Sequence, residues 1–189
     1  MNPERLICAT VTPFFVKNTN DDRVWWPSNF EAFAASGSTA DMLYAHGRRG
    51  IGEARERVGT WREFAVVPDT GLVAIGSLSN SPAGQEALDR LQVGLDPWSD
   101  GPGWGLSVKP MDWPEGSEHF RILEASLEDD PAFAGTKIHG VGAYAGDCWT
   151  AITGRPVPEV KVLGTRTVYG KVLGVVRGKV IREQWEEDF

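Results

Sequence analysis

Two β-rich runs, 58–67 and 72–78, stand on either side of Pro68-Asp69-Thr70-Gly71. Proline presets its own backbone angle and glycine accepts a positive one, so this tetrapeptide reads as a turn with a physical cause. The runs it joins are then the arms of a β-hairpin. A chain with a long hairpin near its middle must build a sheet around it, because an isolated two-stranded ribbon is marginal in water.

The flanking segments supply strands and helices for that sheet. Residues 6–16 carry Ile7, Cys8, Val11, Phe14 and Phe15 with Thr10 and Thr12 between them, a first strand that Pro13 breaks or confines to an edge. Residues 18–23 form a polar turn. The spacing predicts a helix over 27–37. Ser28 with Glu31 reads as a capping box, Phe30, Phe33 and Ala34 share one face, and Gly37 stops the helix. A short apolar run over 41–46 ends in His46, and Gly47-Arg48-Arg49-Gly50 follows as a loop. Beyond the hairpin, Ser81 caps a helix with Pro82 at its first position. Ala87, Leu88, Leu91 and Leu95 recur at helical spacing, and Gly94 lies near the end.

Two more strands are predicted over 104–109 and 119–127, joined by a turn region that holds Pro110, Asp112, Pro114, Glu115 and Gly116. Alternation puts Leu106 and Val108 on one face and Ser107 on the other, with Gly105 clearing backbone space. A nucleophilic serine benefits from a rigid element, since its oxygen must stay within hydrogen-bond reach of a base. The polar face of any hairpin also carries serines, so position alone makes Ser107 a candidate. His46, at a strand end beside glycine, has room to turn toward a neighbour, and is equally placed for an ordinary surface or packed imidazole. The stretch 132–146 is rich in glycine and alanine. Residues 159–163 and 167–176 are β-branched and aliphatic, and Lys-Val-Leu-Gly recurs at Lys161 and Lys171, so a hairpin is predicted over 159–176. The acidic, aromatic segment 182–189 reads by default as a frayed end, with a docking peptide as the other reading.

Charge and composition exclude several classes. A net charge of −7 argues against nucleic acid as the main partner. No apolar run is long enough for a membrane-spanning helix, and Met1-Asn-Pro-Glu-Arg5 lacks the basic and apolar regions of a secretory signal. Cys8 and Cys148 are the only cysteines, which suits a reduced compartment rather than a disulfide scaffold. No His/Cys/acidic group has zinc-site spacing, there is no phosphate-binding loop with a lysine, and neither metal nor cofactor is expected. Gly140-Val-Gly142 with Gly146 loosely echoes a dinucleotide-binding turn, but 136–139 makes a poor buried strand and Asp147-Cys-Trp no clear helix start. Cys148 with His139 offers a thiol and a base, and a packed structural cysteine is the simpler reading.

Several segments together resemble the prohead (head-maturation) serine proteases of tailed bacteriophages, a family related in fold to the herpesvirus assemblin protease. The residues that carry the resemblance are Trp26-Pro-Ser-Asn-Phe-Glu-Ala-Phe33, Met42-Leu-Tyr-Ala-His46-Gly, the hairpin through Asp69-Thr-Gly-Leu-Val-Ala-Ile-Gly-Ser-Leu78, Ser81-Pro-Ala-Gly-Gln-Glu-Ala-Leu88, Gly105-Leu-Ser107-Val, and Ile122-Leu-Glu124-Ala-Ser-Leu127 before Pro131. They cover about residues 6–131, and their order is the strength of the match. The resemblance implies an α+β, mostly β fold: a herpesvirus-protease-like β-barrel with packed helices over 1–131, followed by a strand-rich C-terminal extension, 132–189, of unassigned role. It implies Ser107 as nucleophile, His46 as base, and Glu124 as the orienting third member, with His119 as the other candidate for that place. It further implies cleavage of the major capsid protein and scaffold segments inside an assembling prohead in the host cytoplasm, without nucleic acid or membrane, and leaves homo-oligomerisation open. The sequence departs from the family where Val108-Lys109-Pro110 follows the serine and where Glu128-Asp129-Asp130 replaces an apolar continuation. Those departures keep an alternative open: an inactive protease-fold protein with a structural or assembly role in the virion.

Overall fold

The central turn forms as its residues dictate. Thr70 N–H donates to the Val67 carbonyl at 2.9 Å, and Gly71 takes φ 145°, where a Cβ would run into the Thr12 carbonyl oxygen. The structure is a computed structural model that describes residues 2–18, 22–44, 57–94, 104–128, 133–158, 169–176 and 179–185. Its strands are β1 (Leu6–Thr12), β2 (Ala40–Tyr44), β3 (Arg57–Val67), β4 (Gly71–Leu78), β5 (Gly105–Asp112), β6 (Phe120–Glu128), β7 (Lys137–Val141), β8 (Tyr169–Val176) and β9 (Lys179–Trp185). Its helices are α1 (Glu31–Ala35), α2 (Pro82–Gly94) and α3 (Ala143–Thr153).

Seven strands make one mainly antiparallel sheet in the order β5-β6-β2-β3-β4-β1-β7, and only β2 and β6 run parallel. The sheet curls so that its two edges approach without pairing: the backbone N–H of Leu106 on β5 donates to Thr136 Oγ1, just before β7, at 3.1 Å. One face packs the main core of Ile7, Met42, Trp61, Phe64, Leu72 and Leu106, closed by Phe30, Phe33 and the α2 residues Ala87, Leu88 and Leu91. On the other face, α3 covers one end with Ala145 and Trp149 against Leu6, Cys8, Val73 and Ile75. The remainder of that second face carries mostly polar side chains, with the buried Leu43 among them. The result is a mostly β, curled half-barrel with few helices.

Several expectations change in detail. The first strand stops at Thr12, before Pro13. Residues 27–29 form a 3-10 turn capped by Asn29, whose Oδ1 accepts from Trp26 N–H at 2.7 Å, instead of a Ser28/Glu31 box; an α-helix of only one turn and a bit follows. Ser81 does cap α2, accepting from Gly84 N–H at 3.1 Å. β5 runs on through Pro110 to Asp112, which its edge position and a bulge between Lys109 and Pro110 permit, since an edge strand needs no amide there.

The larger differences fall after residue 131. Residues 137–141 are a true strand, antiparallel to β1, and α3 packs on β1 and β7, so the first compact unit extends through Pro158 and the expected division at 131 falls inside it. The second unit, 159–189, holds a hairpin, but β8 pairs with β9 across residues 177 and 178. The partner of Tyr169–Val176 is therefore Lys179–Trp185, which reaches into the segment 182–189 read as a frayed end, because Lys179-Val180-Ile181 opens it with β-branched residues. The expected strand over 159–163 lies outside the described residues.

Candidate active site

Directly opposed residues of neighbouring strands carry their side chains on the same face. Ser107 faces Ser126, and Lys109 faces Glu124. In the parallel pair, Ser126 lies beside Leu43 and Glu124 beside Asp41. Asp41 faces Thr60, and Thr60 faces Ser77. The second sheet face thus carries two rows, one of Ser107, Ser126 and Leu43 and one of Lys109, Glu124, Asp41, Thr60 and Ser77, while the alternate residues Leu106, Ala125, Leu127, Met42 and Trp61 enter the core. Ser107 is half-buried and faces away from the core, as alternation predicts.

Beside Ser107 sits a buried polar pair. Ser126 is fully buried, Glu124 is 5% exposed, and Ser126 Oγ–H donates to Glu124 Oε1 at 3.0 Å. A buried carboxylate is costly unless donors surround it, and the serine two residues on supplies one. The backbone between them is fixed from the core side, where the indole N–H of Trp61 donates to the Ala125 carbonyl at 2.9 Å. Glu124 and Ser126 therefore sit on a strand held from the core face. Further along the run, Arg57 makes an ion pair with Asp41 at 3.1 Å and donates to Thr60 Oγ1 at 2.6 Å.

His46 lies outside the described residues. The strand leading to it is described: β2 ends at Tyr44, level with Leu127, which faces Leu106. That strand belongs to the same sheet as the Ser107 strand, with β6 between them, and it delivers the chain to the end of the sheet where Ser107 lies. His119 is elsewhere. It is exposed at the β5–β6 turn, where its Nδ1–H donates to the Ser28 carbonyl at 3.0 Å. Asp112 faces Phe120, so His119 lies about five strand residues, or roughly 17 Å, along β5 from Ser107. Glu124 is the nearer of the two candidates for a third member.

Cys148 and His139 adjoin without forming a thiol–imidazole pair. Cys148 Sγ donates to the His139 backbone carbonyl at 3.3 Å, while His139 Nε2 meets Thr10 Oγ1 at 2.8 Å. Burial first, and Lys137 second, hold the His139 imidazole below its usual value. Burial first, and Cys148 second, push the Cys8 thiol up to about 12, so it stays protonated and inert. The Gly140 to Gly146 stretch does join a strand to a helix, contrary to expectation. Its glycines serve packing: a Cβ on Gly140 would stand 3.0 Å from Cys148 Sγ, and Gly142 turns into α3 at φ 67° with its N–H given to the Leu6 carbonyl. β7 pairs only antiparallel, so no parallel crossover of the dinucleotide-binding kind is built there. Among the described residues, no group of three or more His, Cys, Asp or Glu is placed to hold a metal ion, and no helix is long and apolar enough to cross a membrane.

No protein family matches the chain, and no curated protein does. Among solved structures, it is similar to KSHV protease. That structure, solved in complex with a hexapeptide phosphonate inhibitor, shares 16% identity over 65% of this chain, with a TM-score of 0.43, and the chain spans 58% of its length. A likeness at this level concerns the course of the backbone alone.

The residues that sequence reasoning missed are Ser126, Asp41, Arg57 and Thr60. One signal was present: in Ile-Leu-Glu124-Ala-Ser126-Leu, period-2 alternation puts the acid and the serine on one face. The others join the run only through cross-strand register.

Proposed function

We propose that the chain is a serine endopeptidase of the phage head-maturation kind, with Ser107 as nucleophile, His46 as base and Glu124 as the orienting acid. The observation that carries this reading is the register of Ser107 opposite Ser126, whose hydroxyl is bonded to the buried Glu124 on a polar sheet face. In the mechanism, His46 takes the Ser107 hydroxyl proton as Oγ attacks the peptide carbonyl carbon. The tetrahedral oxyanion collapses to an acyl-serine as the C–N bond breaks, and the imidazolium gives the proton to the leaving amine. Water, deprotonated by His46, then attacks the ester and frees Ser107. Glu124 holds and charge-stabilises the imidazolium. The substrates in this reading are capsid-protein and scaffold segments inside the assembling prohead.

A fluorophosphonate probe tests the nucleophile without knowledge of the cleavage site. The parent protein should be labelled at Ser107, Ser107→Ala should not be, and co-expressed capsid protein should be processed only by the parent. Glu124→Gln should slow labelling less than His46→Ala, since an orienting group contributes less than the base it supports. Equal labelling of the parent and Ser107→Ala would remove the assignment. One observation favours a second reading, an inactive protease-fold virion protein: Lys109 faces Glu124 on the same sheet face and competes with an imidazole for its charge. Under that reading neither labelling nor processing occurs.

A further inference from the structure

The polar run continues past Thr60 and Ser77 into a cavity of about 620 Å³, lined by Arg5, Arg57, Arg62, Thr60, Ser77 and Asn80 among others, with no carboxylate among its described lining residues. Three guanidinium groups converge there in a chain whose net charge is −7. Arg5 is 9% exposed, and each of its bonds goes to a neutral acceptor: the Leu78 and Ser79 carbonyls and, at 2.7 Å, Gln85 Oε1. Those bonds orient the group but leave its charge uncompensated, and a buried charge without a counter-ion is costly. Arg62 is the extra residue of a bulge between Trp61 and Glu63, a device that re-aims a side chain, and it is exposed at the cavity wall. Of the three, Arg57 alone makes an ion pair among the described residues, with Asp41 at 3.1 Å on the strand beside it. The fork geometry of guanidinium, with hydroxyl donors at Thr60 and Ser77, matches a carboxylate.

We infer that this cavity binds the carboxylate of an acidic peptide side chain. The peptide is favoured over a free anion because the cavity lies on the same sheet face as Ser107. From β5 to β3 is three strand spacings, about 14 Å, and because Ser126 and Glu124 are buried between them an extended peptide must pass around that patch, which takes more than the roughly four residues of the direct line. An Asp or Glu more than about four residues from the bond under attack would then reach the arginines. That placement within a substrate rests on the reading of Ser107 as nucleophile; the anion site itself does not.

Fluorescence anisotropy with a fluorescein-labelled tetraglutamate peptide tests the site, and the same label on tetraglutamine serves as control. Tetraglutamate should bind the parent and Ser107→Ala equally. Arg62→Gln, an exposed change that leaves the thermal midpoint unmoved, should weaken binding at least fivefold. Tetraglutamine should bind no better than the weakened variant. Absence of tetraglutamate binding, an affinity unchanged by Arg62→Gln, or displacement by inorganic phosphate at concentrations well below those of the peptide would overturn the inference. Processing of the capsid protein, followed in parallel, separates the two claims. Binding without Ser107-dependent cleavage would leave the anion site standing and remove only the hydrolase reading, and cleavage without binding would do the reverse.

Discussion

Trp61→Phe should destabilise the first unit by about 3 kcal/mol, and the figure can be built from its surroundings. The indole is fully buried, so the smaller ring leaves a void that the sheet cannot close. A void of a few tens of Å³ costs about 1 kcal/mol at roughly 24 cal/mol per Å³. The substitution also removes the N–H that reaches the Ala125 carbonyl at 2.9 Å. Loss of a buried hydrogen bond that leaves its acceptor weakly served costs about 1–3 kcal/mol. In a urea titration with a slope of about 2 kcal/mol per M, the sum lowers the midpoint by about 1.5 M. Phe64→Leu is the control, since it opens a void in the same core without breaking a hydrogen bond and should lower the midpoint by less. Because Ala125 stands between Glu124 and Ser126, Trp61→Phe should also slow fluorophosphonate labelling in native buffer, whereas Phe64→Leu should not. A midpoint shift below about 0.5 M, or one equal to that of Phe64→Leu, would refute the claim that this bond pins β6.

Ser126→Ala should cost about 1–3 kcal/mol in urea stability, because it strips a donor from the buried Glu124 carboxylate; a neutral change would mean that the carboxylate does not depend on that hydroxyl. Gly76→Ala should destabilise by about 1–3 kcal/mol, since its Cβ would stand 2.5 Å from the Thr60 carbonyl oxygen and 3.0 Å from Met42 Cε. Met42→Ala in the same chain should not restore the stability, as the closer contact is backbone; full rescue would contradict this. His139 predicts a pH dependence. Its folded-state pKa is lowered from 6.5, so the unfolded chain takes up the proton more readily, and the associated stability is present above 6.5 and lost as pH falls through the lower folded value. The urea midpoint of the parent should therefore drop more between pH 7.5 and 5.5 than that of His139→Gln, and parallel drops would rule the histidine out as the cause.

How much was legible in the sequence follows from the range of the forces involved. The Pro68–Gly71 turn, the Ser81 cap on α2 and the two faces of the Ser107 strand are set by residues within a few positions of one another, and all three formed as read. The segment after residue 131 misled because its strand is built by a partner. Lys137–Val141 alternates weakly, but β1 is buried along its whole length and offers an open edge, so pairing decides the conformation that local propensity leaves open. α3 escaped notice for a related reason: Gly146 interrupts it and no side chain caps its start, yet Gly140 on β7 and the small Ala145 let the helix approach the sheet and seat Trp149 beside Cys8.

The site raises the same issue in sharper form. Ser107 and the Glu124/Ser126 pair lie on one hairpin, so alternation and the turn between them nearly suffice to bring them together. Asp41, Thr60 and Ser77 join the row of Glu124 only because β2 runs parallel to β6 in one particular register. A slip of that pairing by one residue would turn Glu124 and Ser126 toward Met42, and would place a carboxylate beside core methyl groups. The penalty for that slip specifies the register, and the main candidate for keeping it is the Trp61 bond, which spans β2 and grips β6 from the core side. The polar face thus depends on the apolar one. Glu124 can stay buried next to Ser107 because an indole on the opposite face keeps its strand from sliding.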